Sequence, residues 1–265
     1  MEHLGIVTFN LLNKPSRWEE RRSLIAGELG ELKPDVVALQ EVSLANNSAH
    51  WLAEQLGGYS IHMSPMTGRF SDKQGIAILS RLPIVDQWTL DLGRQWRVAQ
   101  AALVESGEER LLIVNGHLYW HVVDHHQQVL QVKRMLQWLE TLPQGLPTVV
   151  CGDFNGTPEY RSVQLMKRHF KSAYAVRHGR EPAYTCPTPF KYHLSPMRDT
   201  LSRLGNLARN HSLDLWRGTL DYIFVNERFN VLDCDVVLNR AAQHDQTIYP
   251  SDHVGLAAHL TSASG

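Results

Sequence analysis

The sequence predicts an α/β fold in which a mixed sheet, or a pair of sheets, is covered by helices. Three observations predict it. Nine apolar or alternating runs of strand length recur along the chain, most of them rich in β-branched residues. Two longer stretches repeat apolar residues at helical spacing. The two patterns are interleaved rather than segregated, which is the order of a layered α/β chain. At 265 residues the chain can bury a large core. No linker, internal repeat or low-complexity tract divides it, so one domain over residues 1–265 is expected.

The elements follow in order. "LGIVTF" reads as a first strand, and Ile25, Leu29 and Leu32 form one face of a helix from Trp18 to Leu32 that Pro34 ends. "DVVALQ" then completes a strand–helix–strand unit. "GIAILS", "VAQAALV" and "RLLIVNGHL" lie close together between Gly75 and Leu118, the spacing of hairpins. A second helix is predicted from His126 to Leu139, with Val129, Val132, Leu136 and Leu139 inward. Pro143 and Pro147 bracket the link to "TVVCGDF", and "LDYIFV", "CDVVL" and "VGLAAHL" close the chain. Ser195 to Asn210 reads as an amphipathic helix within a long basic excursion.

Composition excludes some classes. A hydrophobic fraction of 43% and a charged fraction of 20% belong to a folded globule rather than a disordered chain. The opening "MEHLGIVTFNLLN" has an apolar run too short to span a bilayer and lacks the basic lead of a secretion signal, so a cytoplasmic protein without stable membrane association is expected. Cys151, Cys186 and Cys234 are too widely spaced for a disulfide framework or a zinc knuckle and read as reduced thiols, Cys151 in the core. A net charge of −1 argues against coating nucleic acid through the whole surface. Between Arg161 and Arg217, however, eleven Lys or Arg face three acidic residues, which is either a solvated surface or a landing strip for phosphate.

The functional signal lies where the strands end. "IVTFN" delivers Asn10, "VVALQE" Glu41, "LIVNGH" His117 and "VVCGDFN" both Asp153 and Asn155. "TLD" places Asp221 at the start of a strand, and "SDH" places Asp252 and His253 just before the last one. Each alone could serve a turn or satisfy the core. Together they give a cleft hard oxygen ligands suited to Mg²⁺ or Mn²⁺ and two histidines for protons or charge. There is no evident activated Ser or Cys and no Walker-type loop, so the set suits metal-assisted hydrolysis of a phosphate ester without a covalent intermediate. Tyr119 and Trp120, just after His117, could stack on a base. His121, His125 and His126 read instead as a solvated cluster at a helix start.

In this order, "TFN", "LQE", "GHL", "GDFN", "LDY" and "SDH" resemble the endonuclease/exonuclease/phosphatase superfamily, over nearly the whole chain. The resemblance implies a DNase I-like four-layer α/β sandwich of two mixed, mainly antiparallel sheets flanked by helices. It implies Glu41 as principal metal ligand with Asn10 and Asp252 nearby, and Asp153 with Asn155 positioning water and the scissile phosphate. It also implies His253 on the phosphate, oriented by Asp221, and His117 stabilising charge on phosphoryl oxygens. "EPAYTCPTP", "TLDYIFV" and "YPSDHVGLAAHL" look most like the nocturnin, Angel and deadenylase branch, which would make Thr185 a substrate contact. A phosphodiesterase or nuclease acting on nucleic acid or a nucleotide is therefore expected. The alternatives are a phosphomonoesterase, a phospholipid-headgroup hydrolase or an inert binding module.

Overall fold

The computed structural model describes residues 3–121, 124–190 and 216–263; the helix expected over Ser195 to Asn210 lies outside them. Along the first part of the chain run β1 (Leu4–Asn10), α1 (Trp18–Leu32), β2 (Val36–Ser43), α2 (Ser48–Leu56), β3 (Ser60–Pro65), β4 (Gln74–Ser80), β5 (Ile84–Asp91), β6 (Val98–Ser106) and β7 (Glu109–His117). They are followed by α3 (His126–Leu139), β8 (Thr148–Asp153), α4 (Arg161–Met166), β9 (Lys171–Ser172), α5 (Ala173–His178), β10 (Asp221–Val225), β11 (Phe229–Val237) and β12 (Gly255–Ser262). Sheet A has the order β11-β12-β1-β2-β4-β3 and sheet B the order β5-β6-β7-β8-β10-β9. Only β1/β2 and β7/β8 pair in parallel; the other named pairs are antiparallel.

Three apolar clusters divide the molecule into layers. Leu4, Ile6, Val36, Ala38 and Ile78 of sheet A meet Ile113, Val149, Cys151 and Ile223 of sheet B between the sheets. On the outer face of sheet A, Val7, Phe9 and Leu39 pack under Ile25 and Leu29 of α1 and Leu52 of α2. On the outer face of sheet B, Val114, Val150 and Phe224 pack under Val132 and Met135 of α3 and Val163 of α4. Both faces of each sheet are covered, which is why the central strands read as nearly unbroken apolar runs. This is the four-layer sandwich the resemblance implied.

Some elements were not anticipated. β3 and β5 lie at sheet edges and carry polar or exposed residues, and β9 is two residues long, so none presents an apolar run. The inward face of α3 is also rotated. Gln128, Gln131 and Met135 are buried beside Val132 and Leu139, while Val129 and Leu136 are only half-buried. The two amides are buried because loop groups need them: Gln128 Nε2 donates to the carbonyls of Tyr119 and Asn155, and Gln131 Oε1 accepts from Tyr119 N–H at 2.6 Å.

Arg21 shapes the end of the sandwich that matters most. It is fully buried on α1. Its guanidinium donates to the carbonyls of Leu11 (2.8 Å), Leu12 (3.2 Å), Lys14 (3.0 Å), Ser16 (3.2 Å) and Pro250 (3.2 Å). One cation thereby holds the segment leaving β1 after Asn10 against the segment that leads into Asp252 and His253. Arg21→Met keeps the apolar stem but strands several buried carbonyls, each costing ~1–3 kcal/mol. We expect a loss of at least ~3 kcal/mol in urea unfolding and a melting midpoint lower by roughly 6–12 °C; an unchanged midpoint would contradict this role.

Candidate active site

The inner faces of both sheets change from apolar to polar at one end. On β1 the inward series Leu4, Ile6 continues as Thr8 and Asn10, and on β8 the series Val149, Cys151 continues as Asp153. β7 does the same through Asn115 and His117, and β10 begins with Asp221 ahead of Ile223. Strand register sets these groups side by side, His117 opposite Asp153 across β7/β8 and Asp221 opposite Asp153 across β10/β8. The β7/β8 approach needs glycine: Gly152 has φ +131°, and a Cβ there would stand 2.0 Å from the carbonyl oxygen of Gly116.

Glu41 reaches this end through a β-bulge. Leu39 pairs with Ala77 and Val42 with Gly75, so three steps along β2 match two along β4. Leu39 and Val42 both pack outward under the helices, leaving Gln40 and Glu41 together between them. Glu41 has φ +52°, a conformation that a non-glycine residue adopts at a cost. Its Oε2 accepts from Asn13 N–H at 2.8 Å, and among the described residues Oε1 accepts nothing. Beneath it, Gln40 Nε2 donates to Asn115 Oδ1 at 2.8 Å and to Thr8 Oγ1 at 3.0 Å, while Asn115 Nδ2 donates to the carbonyls of Leu39 and Ala77.

A second cross-sheet bond lies at the site itself. Asn10 Nδ2 donates to Asp153 Oδ2 at 3.0 Å, and Asn10 Oδ1 accepts from Leu12 N–H at 3.0 Å. The two partners fix the amide's orientation and leave Oδ1 one lone pair. Asp153 Oδ1 accepts from Asn155 N–H at 2.8 Å, a turn that holds Asn155 at φ +50°. Asn155 Nδ2 donates to the Leu118 carbonyl, and its Oδ1 accepts nothing among the described residues. Burial first, and then the charge of Asp221, pushes the Asp153 carboxyl up, while His253, the Asn155 N–H and Arg97 pull it down.

His253 Nδ1 lies 2.8 Å from Asp221 Oδ2, with both groups buried. Burial opposes a charge on this imidazole, but Asp221 and the Cys186 thiol outweigh it and hold its pKa well above that of a free histidine. A donating Nδ1–H leaves Nε2 as the nitrogen for other chemistry. The Cys186 thiol is itself raised by burial, which makes it a poor nucleophile.

Arg97, just before β6, is the residue that sequence reasoning missed. Its Nη1 stands 2.8 Å from both ring nitrogens of His117, its Nε is buried without a partner among the described residues, and the charges of Glu41 and Asp153 act on it. Arginine only donates, so one ring nitrogen of His117 must accept. Nδ1 accepting from Arg97, with Nε2–H directed at Asp153 Oδ2 3.4 Å away, gives both ring nitrogens of His117 a partner. Burial, Arg97 and His253 accordingly hold the pKa of His117 well below its ordinary value. The positive charge on this side belongs to Arg97, with His117 neutral. No strand pattern marked it: Arg97 lies just before β6, and the β6/β7 register, with Ala99 opposite Gly116, does not by itself bring Arg97 to His117.

The remaining sequence candidates divide. Asp252 is half-buried beside His253, with its Oδ1 accepting from Ser251 Oγ at 3.2 Å. Trp120 is 53% exposed, and Tyr119 is half-buried with its ring stacked on His121. Thr185, the expected substrate contact, has its hydroxyl engaged with the backbone. It is fully buried, and its hydroxyl accepts from the N–H groups of Leu220 (2.8 Å) and Asp221 (3.1 Å), so it positions Asp221.

The oxygens on the Glu41 side have the chemistry for a hard divalent cation: a free Glu41 Oε1, a spare lone pair on Asn10 Oδ1 and the Asp252 carboxylate. Among the described residues, the one acidic or imidazole group of ligand-like spacing is Asp153, Asp221 and His253, with atoms within 4.8 Å of one another. That group suits proton handling better than a metal. Asp221 Oδ2 and His253 Nδ1 are already engaged with each other at 2.8 Å, which leaves that oxygen and that nitrogen committed to one hydrogen bond.

The family model described as "Endonuclease/Exonuclease/phosphatase family" matches residues 7–253. Similar curated proteins include the Kluyveromyces lactis CCR4-Not complex 3'-5'-exoribonuclease subunit Ccr4, 23% identical over 94% of this chain and 38% of that one. Human 2',5'-phosphodiesterase 12 is 25% identical over 91% of this chain and 45% of its own length. Human nocturnin is 26% identical over 91% of this chain and 57% of its own length. The chain thus spans roughly two-fifths to somewhat over half of these relatives. Among solved structures, the human nocturnin catalytic domain with bound sulfate superposes with a TM-score of 0.76, 24% identity, and coverage of 99% of this chain and 94% of that one. D. rerio TDP2 complexed with single-strand DNA product gives 0.78 at 16% identity, over 98% and 100%. Both share this fold.

The positioning role of Thr185 is testable without any substrate. Thr185→Val leaves two buried N–H groups unpaired, and we expect a loss of about 2 kcal/mol in urea unfolding, with Thr185→Ser retaining most of the stability. Equal stability of the Val and Ser variants would return Thr185 to the list of candidate substrate contacts.

Proposed function

We propose a function from one premise: the chain belongs to the Endonuclease/Exonuclease/phosphatase family. On our reading it is a divalent-metal-dependent phosphodiesterase, acting on nucleic acid or a nucleotide by direct in-line attack of water. What carries the reading is the convergence, on one polar end of an apolar interlayer, of hard oxygen donors, a buried His253–Asp221 pair at 2.8 Å and the guanidinium of Arg97. The relatives whose names include exoribonuclease and phosphodiesterase support a phosphodiester substrate. No described helix is long and apolar enough to cross a membrane, and we propose that residues 1–265 form one catalytic domain.

Mg²⁺ or Mn²⁺ would be held by Glu41 with Asn10 and Asp252 beside it, and when bound would supply Lewis-acid charge to the phosphoryl oxygens. The protein side chains do the rest. Asp153 and Asn155 orient water: Asp153 is anchored by Asn10 and by Asn155 N–H, and the free Asn155 Oδ1 can accept a water proton. His253, fixed through Nδ1 by Asp221, presents Nε2 to a phosphoryl oxygen and stabilises charge as it develops. Arg97 adds a cation on the other side, and His117 orients Arg97 and Asp153 relative to each other. Trp120 and Tyr119 offer ring faces to a base next to the cleaved bond. Thr185 is committed to backbone N–H groups and the Cys186 thiol is held protonated by burial, so neither is a ready nucleophile.

EDTA should abolish hydrolysis of bis-p-nitrophenyl phosphate and Mn²⁺ or Mg²⁺ should restore it; full activity in chelator would overturn the reading. Glu41→Gln and His253→Ala should each lower kcat about a thousandfold, or ~4 kcal/mol of transition-state stabilisation. Near-normal turnover by both folded variants would remove these residues from the chemistry. Arg97→Leu should lower kcat by roughly a hundredfold if it stabilises phosphoryl charge, and a loss below threefold would reduce it to a structural cation.

A further inference from the structure

A cavity of about 910 Å³ opens between the loop preceding β6 and the first turns of α3. It adjoins the candidate site along the chain: one wall residue, Trp96, precedes Arg97, and another, Tyr119, lies two residues beyond His117. Its volume is at the upper end of the ~300–1,000 Å³ usual for small-ligand pockets.

The loop that forms one wall is held in a costly shape. Gly93 has φ +85°, and Gln95 and Trp96 both have φ +57°, a conformation that non-glycine residues keep only where surrounding contacts impose it. Those contacts are present. Gln95 Oε1 accepts from Trp120 N–H at 3.0 Å and Gln95 Nε2 donates to the Trp120 carbonyl at 2.8 Å, clamping the loop to the segment after His117. Gln131 at the base of the cavity donates to the carbonyls of Leu92 and Arg94 and accepts from Tyr119 N–H. The Trp96 ring is set by Phe70 (5.3 Å between centroids, edge-on) and by Arg69, whose guanidinium lies 4.4 Å over it.

The walls include two aromatic residues close in sequence to Arg97 and His117 and two exposed cations, Arg94 and Arg134; Arg134 reaches to 3.6 Å from where a Cβ on Gly93 would stand. Neither arginine has an acidic partner within ion-pair distance among the described residues. The one carboxylate on the wall, Asp124, accepts from His126 N–H at the start of α3. Aromatic faces beside unpaired arginines match a nucleotide: a base to stack and a phosphate to neutralise.

We infer that this cavity is a second nucleotide subsite, which takes the base and phosphate next to the cleaved bond in a single-stranded nucleic acid. The inference rests on the phosphodiesterase reading for its substrate class and deepens it. A substrate with a further nucleotide on that side binds better than one that ends at the scissile phosphate.

The test is equilibrium binding by fluorescence anisotropy, using labelled octathymidylate and the catalytically silenced Glu41→Gln protein in Mn²⁺ and 0.1 M salt. Arg94→Ala/Arg134→Ala on that background should weaken binding at least tenfold. Arg110→Ala/Arg228→Ala, the same charge loss at the opposite end of β7, should weaken it less than twofold. An abasic sugar-phosphate octamer should bind at least fivefold more weakly than octathymidylate. Equal losses in the two double variants, or no loss in the first, overturn the subsite, as does parent protein that binds no oligonucleotide. Equal binding of the abasic octamer overturns the base component and with it the nucleotide assignment. Failure to hydrolyse bis-p-nitrophenyl phosphate in metal bears on the catalytic reading alone.

Discussion

Two β-sheets that face each other through apolar side chains gain a fixed alignment where buried polar groups pair across the gap. Here the hydrogen bond from Gln40 Nε2 to Asn115 Oδ1 is the pivot. Asn115 spends its own N–H groups on the carbonyls of Leu39 and Ala77 in the opposite sheet, where the β2 bulge begins. Hydrophobic contact would tolerate some sliding of sheet B over sheet A. This amide ladder does not, and it lies immediately below Glu41 on one side and His117 on the other. The chemistry at the open end therefore inherits its alignment from a fully buried polar contact one layer down.

Above that contact the two sheets divide the work. Sheet A brings oxygens through Asn10 and the bulged Glu41, while sheet B brings His117, Asp153 and Asp221 in register. The Asn10–Asp153 bond joins the halves, and Arg21 ties the segment after Asn10 to the segment before Asp252 and His253. Positive charge is likewise divided. His253 takes it through Asp221, whereas His117 yields it to Arg97 because the buried imidazole must accept the guanidinium's hydrogen bond. The cation and the proton-handling pair consequently flank Asp153 from different strands.

Much of this was legible in the sequence because strands alternate faces with a fixed period. Asn10, Glu41, His117, Asp153 and Asp221 all follow or precede apolar strand runs, so their meeting at one end could be expected from order alone. The features that escaped have a common physical cause: each depends on a contact between distant segments. The β2 bulge is a register shift against β4 and leaves no mark in "VVALQEV". Arg97 is ordinary in "RQWRVAQ" until its guanidinium meets His117. Gln128 and Gln131 look like the polar face of α3 until loop carbonyls need donors. The backbone partners of Thr185 escaped for the same reason, since its hydroxyl serves two N–H groups thirty-five and thirty-six residues away. Edge strands β3 and β5 were missed because half-exposed strands need no apolar run.

The account stands on this division of labour, with the metal on the Glu41 side and proton handling at His253 and Asp221. Anomalous diffraction from a crystal soaked in Mn²⁺ tests it most directly. The account predicts a single strong peak against the Glu41 carboxylate, absent from Glu41→Gln crystals, with the His253–Asp221 hydrogen bond intact. A peak enclosed by Asp153, Asp221 and His253, with that hydrogen bond broken and no density beside Glu41, would contradict it.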